Sequence, residues 1–442
     1  MEFDHSLTPG SELGTGEAMH AFMGELFPFN RSLTGEGVRS TLAALGRRLP
    51  LSVVETPTGT QVFDWSVPPE WNVREAWIET PDGARIADFA ESNLHLLGYS
   101  VPVDATLSLG ELRDHLFTHP DPELVPYRTA YWARRWGFCM SRRQLEELRE
   151  GTYRVHIDAT LEPGSLSYGE LAIAGRDEQE FLLTTYVCHP SLANDNLSGI
   201  VVLAALAEAL SAQPLRYSYR FLWSPGTLGP LCWLHNNLDR LDRVEHGLVV
   251  SCLGDPGAFT YKRSRRGADI DAAAEYALSA SGLAHAIRSW TPLGGDERQF
   301  CSPGFDLPVG AFSRSPADAF PEYHSSADNL DFVRPEALLE SLQMLLRIVE
   351  VVERNETYVN RTPYGEPQLG RRGLYRPVGG ESSSEGALLW VLNLSDGSRS
   401  LLDIAQQSGL PLEELRSAAD ALEENELVER VTRAGLEQPS GR

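Results

Sequence analysis

The chain has 442 residues, a net charge of −24 and 42% hydrophobic residues. It is long enough for two or three domains with sizeable cores. The negative balance argues against nucleic acid and against an anionic membrane surface as partners. Its basic residues are almost all arginine, with Lys262 the single lysine.

No run approaches eighteen consecutive apolar residues, so no membrane span is expected. The acidic N-terminal stretch lacks the apolar centre of a signal peptide. Five scattered cysteines, with no CxxC, indicate neither a disulfide framework nor a cysteine zinc site. The cytoplasm is the expected compartment. A homo-oligomer is compatible with the sequence, but nothing in it demands one.

In chain order, "EAMHAFMGELF" and "VRSTLAALGRRL" read as helices within 17–48. Residues 51–168 change texture: short β-type runs alternate with Pro/Gly turns, which predicts a mostly β insertion. From about 180, strands ("EFLLTTYVCHP", "YSYRFLWSP", "HGLVVSCLGD", "LPVGAFSR") alternate with helices ("NLSGIVVLAALAEALSA", "TLGPLCWLHNNLDRL", "DIDAAAEYALSASG"). The expected fold class is therefore α/β, a mixed but mostly parallel sheet with helices on both faces. This main domain is assigned to 1–50 and 169–360, closing on the amphipathic helix "RPEALLESLQMLLRIVEVVERN".

Residues 361–386, rich in Gly, Pro, Ser and Arg, read as a linker. Three helical patterns across 387–442 give a winged-helix layout. DNA binding is the sharp reading of that layout. However, residues 381–442 carry five arginines against twelve acids, a net of −7, and Glu413, Glu414, Glu423 and Glu424 fall where a reader helix would lie. A packing or protein-contact role fits that charge better.

Three stretches carry chemistry. In "HPSLANDNLSG", His189 lies just past a strand end and Asp195 at the following helix start. Open α/β sheets bind ligands at the carboxyl ends of their strands, so both groups are aimed at one crevice. Imidazole and carboxylate are ordinary zinc ligands. A helix cap remains open for Asp195, and a hydrogen-bonded core residue for His189. In "PEYHSSADNLDF", His324 sits on another loop, with Glu322, Tyr323 and Asp328 nearby. In "LGGDERQF", a double glycine sets Asp296 and Glu297 in a tight turn; a solvated turn is the plain alternative. Arg263, Arg265 and Arg266 in "TYKRSRRG" are candidates for a substrate carboxylate or phosphate, or form a solvated basic loop. A cysteine nucleophile at Cys188 beside His189 is disfavoured, because neighbours on a strand point to opposite faces.

Together these three stretches resemble the zinc aminopeptidase-like family that carries an inserted β domain and a C-terminal winged helix. Its more distant relatives are zinc aminopeptidases and glutaminyl cyclases. The resemblance covers nearly the whole chain, including "LFPFNRSLTGEG" and "LNLSDGSRSLLDIA". It implies His189, Asp195 and His324 as ligands of Zn2+; the lack of acids between Ala212 and Asn237 favours one ion per chain, and Asp328 either orients His324 or caps the next turn. It implies an amide or peptide bond in a small metabolite or peptide as the target, in specialised-metabolite or polysaccharide biosynthesis.

Active two-metal relatives also use a Glu-Glu pair at a strand end. Here no Asp or Glu occurs from Ala212 to Asn237, and Gly226 stands about where the catalytic glutamate is expected. Glu297 is the expected replacement base, with Asp296 and Glu322 behind it, and Tyr323 is the expected oxyanion donor. Two alternatives stay open: aminoacyl transfer or cyclisation at the same zinc site, and a non-catalytic scaffold. No HExxH, GxSxG or P-loop occurs.

Overall fold

The computed structural model describes residues 12–316, 319–374 and 383–431. The chain divides into two compact units between Ile348 and Val349.

The first unit is built on an eight-stranded sheet. Its strands in chain order are β1 (Ser52–Pro57), β2 (Ser165–Ile173), β3 (Glu180–Tyr186), β4 (Ser218–Ser224), β5 (Val244–Val250), β6 (Phe259–Lys262), β7 (His285–Arg288) and β8 (Val309–Ser313). Across the sheet they run β1-β2-β4-β3-β5-β8-β6-β7. The four central strands β4, β3, β5 and β8 are parallel; both flanks join antiparallel, β2 to β4 and β6 to β8. A mixed, mostly parallel sheet is thus the observed class. β3 reads EFLLTTY and is buried along nearly its whole length, as expected of a central strand covered on both faces.

The helices are α1 (Gly16–Leu26), α2 (Glu36–Gly46), α3 (Gly199–Ser211), α4 (Leu228–Asn236), α5 (Asp269–Ser281), the single turn α6 (Glu297–Phe300) and α7 (Pro335–Arg354). With the turn before it, Ala193–Ser211 is long and apolar enough to cross a bilayer, but 94% of it is buried inside the protein. Small residues on all its faces let it pack closely against α1, β3 and β4. Trp233, Phe300, Leu182, Leu222 and Val309 belong to one core cluster between α4, α6 and the sheet.

Strand alternation divides the labour of the sheet's far half. Tyr261 points to one face, where its hydroxyl donates to Asp271 of α5 at 2.6 Å. On that face Gly310 is required, because a Cβ there would lie 2.2 Å from the Tyr261 oxygen. Thr260 and Lys262 point the other way.

Within the segment expected to be inserted, a separate four-stranded antiparallel sheet is formed by Glu70–Glu79, Arg85–Ile86, Val103–Ser108 and Thr152–Glu162. It has its own core around Tyr99, Phe138 and Tyr153. The first strand of that segment differs from expectation: β1 pairs with β2 in the main sheet.

In the second unit, helices α8 (Ser383–Leu394), α9 (Leu401–Ser408) and α10 (Leu412–Glu424) accompany a three-stranded sheet. Its middle strand is Thr357–Asn360, flanked by Asp396–Ser400 and Val428–Arg430. The sequence reading had placed 357–360 with the main domain; its backbone bonds place it here. Of the expected linker, 375–382 lie outside the described residues, and α8 already begins at Ser383.

Candidate metal centre and cavity

His189 lies three residues beyond β3. The buried Arg31 fixes this loop: its Nε donates to the His189 carbonyl at 2.9 Å and its Nη1 to the Leu26 carbonyl at 2.6 Å. Asp195 sits in the irregular turn Ala193–Ser198, which leads into α3; the Asp195–Asn196 peptide is cis. Asp195 is not a cap. No side-chain capping bond is made there, and its Oδ1 accepts from the Tyr186 hydroxyl.

The flanking asparagines brace this turn. Asn194 Nδ2 donates to Asp255 and its Oδ1 accepts from the Gly254 N–H; Asn196 Nδ2 donates to Thr185 and its Oδ1 accepts from the Cys252 N–H.

Asp328 does something other than orient His324. Its two carboxylate oxygens accept the backbone N–H groups of Asn194 (2.6 Å) and Asp195 (2.9 Å), tying the His324 loop to the Asp195 turn. Burial and the neighbouring Asp195 push the Asp328 carboxyl up to about 7. His324 has a left-handed backbone (φ 55°), and its carbonyl accepts from the Tyr127 N–H. The Tyr323 ring stacks on it at 3.8 Å between centroids.

The side-chain donor atoms of His189, Asp195 and His324 all lie within 4.8 Å of one another. Asp195 Oδ2 is 3.1 Å from His324 Nε2 and 3.8 Å from His189 Nε2. Even so, Asp195 Oδ2 and His324 Nε2 are both buried without a hydrogen-bond partner among the described residues. A buried acceptor left this way is costly unless something else satisfies it. Burial pushes the His189 imidazole down to about 4, favouring the neutral ring that binds metals. Despite burial, the two imidazoles and Tyr186 hold Asp195 down at about 2. A neutral histidine, a carboxylate and a second imidazole fit a divalent cation of the zinc type.

His189 and His324 line a cavity of about 950 Å³, with Asp195 buried behind them. It crosses the carboxyl ends of the central strands and one open face beyond them. Gly226 and Thr227, after β4, lie at one end, with the Cys188–His189 segment beside them. From there the face carries Val249 and Ser251, then Ala311 and Ser313, then Thr260 and Lys262, and finally Arg288. Register puts Val249, Ala311, Lys262 and Arg288 in one row across β5, β8, β6 and β7. Two exposed indoles, Trp65 and Trp132, also line the cavity with ring centroids 5.3 Å apart.

Asp296 and Glu297 both line this cavity, but in different states. Asp296 Oδ1 accepts the Thr227 N–H at 2.7 Å, and burial pushes its carboxyl up to about 6. A Cβ on Gly226 would lie 3.6 Å from Asp296 Oδ2. Asp296 thus reaches the place beside position 226 from another loop. Glu297 is fully buried and ion-paired with Lys262, whose Nζ also donates to the Leu293 carbonyl at 2.7 Å.

Glu322 does not line the cavity. Neither do Arg263, Arg265 and Arg266, expected to hold a substrate anion. Arg263 pairs with Glu275 and Arg265 with Asp306. The physical reason is strand alternation: β6 turns Lys262 into the cavity, so its neighbour Arg263 must face away. Lys262, Arg288 and Arg298 are the cavity cations instead. The usable sequence signal was the single lysine in an arginine-rich chain. Cys188 Sγ does lie 3.5 Å from His189 Nδ1, closer than alternation suggested, but burial pushes its thiol up to about 12, which leaves it a poor nucleophile.

Residues 20–355 match the family described as a domain of unknown function (DUF4910), and residues 356–430 match a winged helix-turn-helix. The chain belongs to the DUF4910 family. It is 46% identical over 422 residues to a Clostridium acetobutylicum protein provisionally named a polysaccharide biosynthesis protein with an aminopeptidase-like domain, covering 94% of this chain and 97% of that one. A crystal structure from C. acetobutylicum, provisionally named a peptidase, aligns at TM-score 0.89 and 44% identity over 95% of this chain and 98% of that one. A zinc aminopeptidase from Bacillus subtilis aligns at TM-score 0.57 and 15% identity, over 80% and 96% of the two chains; it is similar in fold.

Proposed function

We propose that this chain is a zinc-dependent hydrolase that cleaves an amide bond in a small peptide or amide-containing metabolite. One ion per chain would be held by His189, Asp195 and His324. The observation that carries the reading is the pair of buried atoms, Asp195 Oδ2 and His324 Nε2, that lie 3.1 Å apart without a hydrogen-bond partner among the described residues. The aminopeptidase-like fold supports it, as does the name of the Clostridium relative, which also motivates a place in polysaccharide or specialised-metabolite biosynthesis.

A bound zinc ion would polarise the amide carbonyl and make water more acidic. The chain's own residues would do the rest. Asp296 takes the attacking water's proton and returns it to the leaving nitrogen. It faces the cavity beside Gly226, and its affinity for a proton is matched to neutral pH. Glu297, the base expected from the sequence, is the weaker candidate, because the Lys262 ammonium already engages it. Tyr323, stacked on His324 in the cavity wall, donates to the developing oxyanion. Arg31 and Asp328 position His189 and Asp195 through the backbone.

The test is a screen of aminoacyl amides and short peptides with protein freed of metal by chelation and then titrated with zinc. Hydrolysis that appears with about one equivalent of zinc and is lost in Asp296→Asn supports the proposal. Zinc-independent hydrolysis, or full activity in that variant, contradicts it.

A further inference from the structure

The cavity is far longer than one aminoacyl group needs, and its two ends differ in charge. At one end, beyond β4 and β3, stand Asp296 and the His189–Asp195–His324 cluster. At the other, in register beyond Lys262, stands Arg288 of β7. Glu297 is neutralised by Lys262, and Asp296 turns toward Thr227. Arg288 has no acidic partner within salt-bridge distance among the described residues, in a protein whose net charge is −24. Between the two ends lies a shelf of small side chains, Ser251, Ala311, Ser313 and Thr260. They leave room for an extended ligand along the sheet face.

From these placements we infer that the substrate is elongated and carries an anionic group, carboxylate or phosphate, that docks on Arg288 while its amide lies at the His189–Asp195–His324 end. The inference rests on the proposed hydrolase reading for the amide end only. Four strand steps separate β3 from β7, which at about 4.8 Å per step is roughly 15–20 Å. An extended peptide covers that span in about five residues. Guanidinium is suited to either anion, since its planar fork pairs with carboxylate and phosphate alike.

The experiment uses oligoalanines of two to seven residues, each ending in a free carboxylate, a carboxamide or a phosphoethanolamide. They are titrated calorimetrically into the full chain, freed of metal. The expected result is that the charged ends bind about tenfold more tightly than the carboxamide, with the advantage greatest at four to six residues. It should disappear in Arg288→Gln. Arg288 is exposed, so the variant should keep the wild-type melting temperature. The stronger of the two charged arms names the source of the anion. Equal binding of charged and neutral ends, a charge preference that survives in Arg288→Gln, or no binding by any peptide overturns the inference. Zinc content and hydrolysis of neutral amides are read separately. A chain that takes zinc and cleaves neutral amides without charge preference keeps the proposed function and loses this inference; charge-selective binding by a chain that takes no zinc does the reverse.

Discussion

Lys262, the only lysine in 442 residues, is ion-paired with the fully buried Glu297 on the cavity floor. Removing one partner of such a pair strands the other's charge away from water, whereas an apolar pair of similar volume carries no such charge. Glu297→Gln is expected to cost about 3 kcal/mol of stability, and Lys262→Met/Glu297→Leu much less. Urea unfolding of the three proteins checks the order. A double variant as unstable as the single would show that the ion pair is not what holds this floor.

Asp296 links activity to pH. If it accepts the proton, its ionised form is the active one, so the rate should fall as pH drops below about 6. Asp296→Asn should lose about 10²–10⁴-fold in rate and lose that acid limb. The rate-against-pH profile of both proteins is the measurement.

Stability should move the opposite way. The native carboxyl holds its proton up to about 6, above its ordinary 3.8. Between those values the native state binds more protons than the unfolded chain, so Asp296 lowers stability as pH rises through that window. Asp296→Asn should flatten this part of the stability-against-pH curve, read from melting temperatures between pH 4 and pH 7 (about that range, set by the two values).

Asp328 holds the Asp195 turn by two backbone hydrogen bonds. Asp328→Ala leaves the donor atoms in place but frees their support. Zinc affinity should weaken about 10–100-fold, as is usual for the partners of metal ligands. Competition with a chromophoric chelator measures it.

The second unit is expected not to bind DNA. Helix α10 carries Glu413, Glu414, Glu423 and Glu424, which repel phosphates. Full-length protein should leave a mixed duplex unretarded in a gel-shift assay near 0.1 M salt (about the physiological range). Retardation there would reassign this unit.

The sequence made the centre of the sheet legible because long buried strands and helices alternate through it, and strand-end loops carry the chemistry there. His189, Asp195 and His324 could be named from "HPSLANDNLSG" and "PEYHSSADNLDF", and the structure brings them together. The flank beyond β8 was not legible. β6 and β7 are four residues each, too short for a periodic signal, and "TYKRSRRG" looked like a basic loop. Without the strand, the alternation that admits Lys262 and turns Arg263 away could not be applied. The approach of Asp296 to Gly226 was hidden for a different reason: seventy positions separate them, and only the folded sheet brings their loops to one edge. The role of Asp328 stays open in the sequence because its hydrogen bonds go to backbone N–H groups, which residue identity does not reveal.

The most direct measurement is zinc per chain, by elemental analysis of wild type and of His189→Ala, Asp195→Ala and His324→Ala, each freed of metal by chelation, re-equilibrated with zinc and passed through a desalting column. The account predicts about one ion per wild-type chain and loss in all three variants, with folded-state spectra intact, on the basis of three protein ligands and one open position. A wild-type chain that retains no zinc, or variants that retain it as well as wild type, would contradict it.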